Sequence, residues 1–454
     1  GSLNTAPVAN LGRGPAFALT GSTAGTASRV GTIGAWPMFE FGRDLRRLFD
    51  GHRTDQDLGW LEVVDVDMLR AEARRQTVDA GRATCTRPNP AWLLASALWR
   101  EHARRSGAAD SLQQARLTAL DARKAARGND DRAEAVVALA ETMVLSFDLY
   151  GGPESLKRAL SIIEDLKGQT TRPAAMARRT AVHAQARARL ARTDDSDGLQ
   201  AMAFLDQAVH DLSRRPGLLL DTLKLDRAAL TLMFGIEKRD ARLLDQAGRE
   251  LRDLVETCPA ERRPLTRARA VSLCGAGLSA LATLADNAEA REQGSALFDA
   301  ACDQFTADHS PMDWAAVTLA RAAAIPGAAC LTSLGDTGEV VTTLTATRTV
   351  LGLAMADAQV DAGVLMAESQ GDLHALDRLA ARLRSRLALD RPRPVAWAVD
   401  QIGLARIALA KARLLDTSPG PVRLVLIEAA AAARDEGALL ITDRAEQLLR
   451  RVAD

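Results

Sequence analysis

Pro394-Val395-Ala396-Trp397-Ala398 opens a segment that continues through Gln401, Leu404, Ala405 and Leu409. Its apolar and small residues recur every three or four positions, the period of one helix face. Pro suits the first helical turn, where its missing N–H would find no partner. The opening returns as Pro311-Met312-Asp313-Trp314-Ala315 and, shortened, as Pro90-Ala91-Trp92. From about residue 90 the chain reads as one unit repeated: a first helix, a break, and a second helix. First helices are expected near Pro90, Asp131, Pro173, Pro216, Pro264, Pro311, Asp357 and Pro394. These starts lie 37 to 48 residues apart, mostly in the range of 40 to 48 expected for helical-pair repeats. The second helices share a pattern: Ser111-Leu112 with Ala115, Ser155-Leu156 with Ala159, Leu243-Leu244 with Ala247, and Leu373 with Leu376 and Ala380. A small Ala there lets two helices approach closely. Breaks fall at Gly128-Asn129-Asp130, Gly151-Gly152-Pro153, Asp194 to Gly198, Gly335-Asp336 and Gly371-Asp372. Their Asp and Asn can cap the next helix.

Composition narrows the function. Of 454 residues, 47% are apolar but only 4% aromatic, so the core must be Ala, Leu and Val. Lys plus Arg equals Asp plus Glu at 58 each. Zero net charge removes bulk attraction to nucleic acid or an anionic membrane. Only 6 of the basic residues are Lys. Arg favours forked contacts with carboxylates, and its abundance beside Ala points to a bacterial source. Five cysteines without CxxC spacing argue against a disulfide framework or zinc knuckle and for reduced thiols in a cytoplasm. No pair among the six His residues has ligand spacing on one helix, so no metal or cofactor is expected. No run of 18 apolar residues is present, so no membrane span is expected. The chain opens Gly1-Ser2 without Met, which reads as the scar of a removed tag; a leader or upstream domain could precede it.

Three regions are expected. Residues 1–35, rich in Gly, Ser and Thr, read as a flexible arm. A phosphate-cradling loop there fails for want of a nearby Lys. Three of the six Trp, Trp36, Trp60 and Trp92, fall before residue 93. Residues 36–89 therefore read as an aromatic-rich helical cap over the first repeat, with one helix leading from about Trp60 to Ala80. Residues 90–454 form the array, closed by a polar helix from Asp443.

The spacing Trp397-Ala398, Gln401, Leu404-Ala405 and Leu409 resembles a bacterial Trp-Ala form of the tetratricopeptide repeat. Pro311 to Ala315 matches the opening of that form, and Arg321-Ala322 departs from its Leu-Gly. The resemblance spans about residues 90 to 440, with a period longer than the usual 34. It implies an all-α solenoid, a right-handed superhelix of seven to eight antiparallel helix pairs, whose first helices line a concave groove that binds peptides or protein segments. It implies no catalytic residue.

Charge marks a candidate site. The first helix from Pro173 carries Arg178, Arg179, Arg187 and Arg189, flanked by Arg172 and Arg192, and no acid. Another first helix carries Arg263, Arg267 and Arg269, and the first repeat carries Arg100, Arg104 and Arg105. On a groove wall these would hold an acidic peptide or a terminal carboxylate through Arg forks. The competing reading pairs them with acids of neighbouring helices. Nucleic acid is disfavoured because single strands need aromatic platforms as well as a basic stripe. Asp194-Asp195-Ser196-Asp197-Gly198 lacks EF-hand spacing and its closing Glu, and reads as a turn. No nucleophile signature is present, and a helical-toroid enzyme would need a carboxylate pair with stacking aromatics. The expected function is a protein–protein adaptor or scaffold. Alternatives are the recruiting or sensory module of a larger enzyme, and a toroid enzyme. The terminal repeats could also support a homodimer.

Overall fold

A computed structural model describes residues 58–166, 172–191, 198–324, 338–388 and 393–453. The expected arm, the first part of the cap, Arg192, the Asp194–Asp197 run, Cys330 and Gly335-Asp336 lie outside these residues. Residues 55–454 belong to one compact unit.

A short 3-10 turn, Leu58–Val63, leads into helix α1, Val66–Gly81. Eight helix pairs then follow among the described residues. They are α2 and α3 (Pro88–Ser106, Ala109–Lys124), α4 and α5 (Asn129–Tyr150, Pro153–Glu164), and α6 and α7 (Pro173–Ala191, Gly198–Leu212). Next come α8 and α9 (Leu218–Glu237, Ala241–Thr257), α10 and α11 (Pro264–Ala285, Ala288–Gln304), and α12 and α13 (Pro311–Ala324, Gly338–Ala346). The last pairs are α14 and α15 (Val350–Ser369, Leu373–Leu387), and α16 and α17 (Pro394–Leu415, Val422–Asp435). Helix α18, Leu439–Ala453, closes the array. The described residues contain no strand. The architecture is an all-α solenoid.

Local chemistry sets the boundaries. Pro173, Pro264, Pro311 and Pro394 each open a first helix, as their fixed φ and missing N–H allow. The asparagine and aspartates at the breaks act as caps: Asp240 accepts from Arg242 N, Asn287 from Ala290 N and Asp372 from Ala375 N. The expected start at Asp357 is corrected. Helix α14 begins at Val350, capped by the Thr349 hydroxyl. Asp357 is instead a buried mid-helix residue, bonded to Arg406 and Arg444 from α16 and α18. Two guanidinium groups supply the charge that lets a carboxylate sit in the core.

The repeated small residues of the second helices carry the packing. Ala115, Ala159, Ala247 and Leu376 are fully buried. First helices contact the next first helix all along the array, from α2 to α16. Helices α10 and α14 are long and apolar enough to cross a membrane by length and composition, against the expectation of none. Their apolarity has a local cause here. A first helix is packed against neighbours on several sides, so it lacks a wide polar face.

The winding is tight. Helix α2 contacts α12, and α4 contacts α14, each five pairs further on. These contacts place the first helices on the inside of the turn. Two seams make the closure. One is apolar: Leu145 and Leu149 of α4 share a buried cluster with Met312, Met355, Val399 and Leu426. There the turn after α4 docks by its backbone, Gly152 N–H donating to Glu436 O at 2.8 Å. Gly151 has φ 73°, and a Cβ on it would lie 2.5 Å from Glu436 O, so both conformation and space demand glycine.

The other seam is polar. Residues 58–64 form a strap against α2, α10 and the turn before α12. Fully buried Arg105 donates to Val64 O at 2.7 Å, Leu61 O at 3.2 Å and His309 O at 3.0 Å. His309 Nε2 bonds Glu62 O at 2.8 Å. The Glu62 carboxyl, 2% exposed, meets Thr266 N at 2.9 Å and the Thr266 hydroxyl, in the first turn of α10.

Candidate functional site: the inner wall

The charged side chains that bridge neighbouring first helices alternate in sign along the array. Helix α6 carries Arg and no acid, α4 carries five acids and one Arg, and α10 carries Arg and no acid. Each stripe pairs across to the next. Glu141 of α4 receives Arg100 of α2 at 2.8 Å and Arg178 of α6 at 2.9 and 2.5 Å. Arg189 of α6 forks onto Asp148 of α4 at 2.6 and 2.9 Å and reaches Asp226 of α8 at 3.5 Å. Gln185 also donates to Asp226, at 2.9 Å. Arg263, just before α10, meets Asp221 of α8 at 2.7 Å. Arg269 of α10 forks onto Asp313 of α12 at 2.8 Å through both nitrogens.

The order of signs is therefore plus on α2, minus on α4, plus on α6, minus on α8, plus on α10 and minus on α12. The tight winding brings α12 back to α2, and Arg104 reaches Asp313 at 3.2 Å while holding Glu101 at 2.6 Å. An alternating ladder can close on itself only with an even number of rungs, and six first helices meet that condition. The wall side chains are partly exposed: Arg100 16%, Glu141 15%, Arg178 29% and Asp226 20%. They face accessible space without being loose in it.

Desolvation and pairing set the protonation states. Burial pushes the Glu141 carboxyl up, but Arg100 and Arg178 outweigh it and hold it below the usual range. Burial lowers the Arg100 guanidinium against the pull of Glu141, with Arg178 adding to the effect. Burial also opposes the charge on Arg104, which Glu101 and Asp313 more than restore. Glu141 and Arg104 therefore stay charged at neutral pH.

The seven arginines expected to line a groove separate into three groups. Arg100, Arg104, Arg178 and Arg263 join neighbouring first helices through carboxylates. Arg179 instead donates to Leu166 O at 2.9 Å, and Arg267 to Val255 O at 3.1 Å. Each thus serves the end of the preceding second helix, where cations are favoured. Arg187 lies 5.9 Å above the Phe204 ring, on its own second helix. Adjacent residues on a helix point about 100° apart, so Arg178 and Arg179 could not both face the wall. The expected positive stretch is a neutral one, because the acids of α4 and α8 meet every basic stripe. The sequence contains those acids, but their register against the Arg positions is set only by the packing of the helices.

Trp314 and Trp397 pack against the central apolar cluster. The four described cysteines form no disulfide. Burial raises the Cys258 thiol to about 12 and Cys274 to about 11. No group of three or more potential metal ligands occurs among the described residues.

No known family's sequence profile matches the chain, and no characterised protein matches it in sequence. Among solved structures it is similar to a human IFIT1 dimer with m7Gppp-AAAA, at 12% identity and TM-score 0.45, covering 86% of this chain and 78% of that one. It is similar to a Rap protein complexed with competence and sporulation factor, at 10% identity and TM-score 0.41, covering 80% and 98%. A circular tandem repeat protein aligns at 16% identity and TM-score 0.21, covering 91% and 88%. The eight helix pairs among the described residues, with first helices inward, form an all-α helical repeat array.

Proposed function

We propose that the chain is a binding scaffold that holds a peptide or protein segment against the inner wall of its first helices. The observation that carries this reading is the ladder itself. Partly exposed charges of both signs are held in fixed geometry on rigid helices and offer forked donors and acceptors to a backbone or polar side chain. The pairs keep one edge open to water, so a partner's polar groups can meet them without unfolding the wall. A peptide suits the alternation better than a nucleic acid, whose phosphates would meet carboxylates on every second helix. The reading is of a binding protein, with no catalytic residue assigned.

The test uses the whole chain and a pool of random ten-residue peptides, beside a pool of single-stranded ten-nucleotide RNA. Retained material is mapped by amide hydrogen exchange. Peptide retention with new protection on α4, α6 and α8 is expected. Protection confined to the second helices would overturn the site. Preferential retention of RNA would overturn the partner class.

A further inference from the structure

The polar seam contains two titratable groups, and hydrogen bonds fix the proton on one of them. His309 Nε2 faces Glu62 O at 2.8 Å, so it must carry hydrogen. His309 Nδ1 faces Arg105 Nη2 at 3.1 Å, and a guanidinium nitrogen can only donate, so Nδ1 must be bare. The docked imidazole is therefore neutral. At Glu62 one carboxyl oxygen accepts the Thr266 N–H at 2.9 Å, and the other lies against the Thr266 hydroxyl, which can accept as well as donate. That arrangement accommodates a protonated carboxyl, Oε1–H to Thr266 Oγ and Oε2 from Thr266 N. Arg105 in the same seam is saturated by three carbonyl oxygens and His309. Its donors go to those acceptors rather than to the Glu62 carboxyl.

We propose that the strap of residues 58–64 is a latch whose docking converts an imidazolium and a carboxylate into a neutral His309 and a neutral Glu62. The undocked strap leaves both groups in water, where near neutrality Glu62 is ionised and His309 is partly protonated. Near neutrality docking takes up part of a proton at the carboxyl and sheds part of one at the imidazole, so the two oppose each other. Arg105 remains the buried charge, held by oxygen and nitrogen acceptors. The latch then closes the α2–α10–α12 seam, beside the rung where Arg104 meets Asp313, with little dependence on pH between about 6 and 8.

The surroundings agree. Burial raises the Glu62 carboxyl to about 7, against smaller opposing effects from Thr266 and Arg104, with Glu101 adding to the rise. Burial lowers His309, helped by Arg105 and opposed by its bond to Glu62 and by Asp65 and Glu101. Glu101 is engaged by Arg104. Asp65 caps α1 through Asp67 N and Met68 N. A carboxyl near 7 when docked and near 4.5 when free makes docking about tenfold tighter at pH 6 than at pH 8. An imidazole near 6.5 when free and kept neutral when docked makes docking about fourfold weaker over the same interval.

The test is amide hydrogen exchange of the full chain at pH 6 and pH 8, corrected for intrinsic rates. It follows segments 58–64 and 264–268. Wild-type protection is expected to change by about threefold or less. Glu62→Gln removes the uptake, and its strap should lose about fourfold in protection at pH 6 relative to pH 8. His309→Gln removes the release, and its strap should gain about tenfold at pH 6. Unchanged protection across Val422–Asp435 reports that the array stays folded. A tenfold pH response in the wild type, or flat profiles in both variants, would overturn the proposal. So would a His309 imidazole that shows protonated nitrogen shifts in the docked state at pH 6.

Discussion

The two seams that close the array hold it by opposite means. At the apolar seam, α4 contributes Leu145 and Leu149 to a cluster shared with α12, α14, α16 and α17. At the polar seam, α2 contributes Arg105, and the strap answers with backbone carbonyls. Apolar contacts keep their value only while water is excluded, at about 25 cal/mol per Å². Hydrogen bonds to a strap can be traded for water at small net cost, once every group is again satisfied. The apolar seam therefore belongs to the global fold, and the polar seam can open locally.

The largest test of this contrast is Leu426→Ala. Leu426 is fully buried in the apolar cluster. Its truncation should cost about 2 to 5 kcal/mol and lower the whole melting transition, read by urea denaturation. Gly151→Ala comes next. The positive φ and the 2.5 Å approach to Glu436 O should together cost about 2 to 3 kcal/mol. Gly371→Ala, at φ 65° with open space around it, should cost about 1 kcal/mol. Equal losses at the two glycines would show that the α4 turn is not docked as described.

Arg105→Gln should behave differently. It strands carbonyls of the strap, yet the expected loss of protection is confined to residues 58–64 and the first turn of α10. A uniform loss along the array would dissolve the distinction between the seams. His102, buried on α2 beside Arg105, has its imidazole lowered to about 4, chiefly by burial. Its folded value lies below its free one near 6.5, so it supports stability above pH 6.5. That support is lost as pH falls toward 4, by on the order of 1 kcal/mol per pH unit. A His102→Gln variant should show a shallower acid slope in urea melts.

The smallest effect is expected on the wall. Glu141→Gln leaves Arg100 and Arg178 facing each other, both partly exposed. It should lower stability by less than Leu426→Ala does while altering peptide retention. A loss as large as that of Leu426→Ala would mean that the wall is core, and would count against its availability to a partner.

Much of the architecture was legible in local chemistry. Pro at helix starts, Asp and Asn at breaks, and paired Leu and Ala at helical spacing each act within a few residues. The seven to eight expected pairs follow from them. Asp357 misled because a carboxylate beside a helical period reads as a cap until a buried partner is seen. Arg179 and Arg267 misled for a related reason. Their charge was read correctly and its direction was not, since both turn to the ends of second helices rather than to the wall.

By itself, the sequence determined the helix pairs, to within one of their number, and their Ala and Leu faces, because propensity, capping and periodicity are local. Only the tertiary structure decided which charges meet. A pairing such as Arg104 with Asp313 spans 209 residues and depends on how far the array turns per pair. The same holds for Arg105, which sits among basic neighbours in sequence and among carbonyls in space. Small rotations at each interface accumulate over five pairs, and their sum, which no single repeat encodes, sets the register of the ladder and the place of the strap.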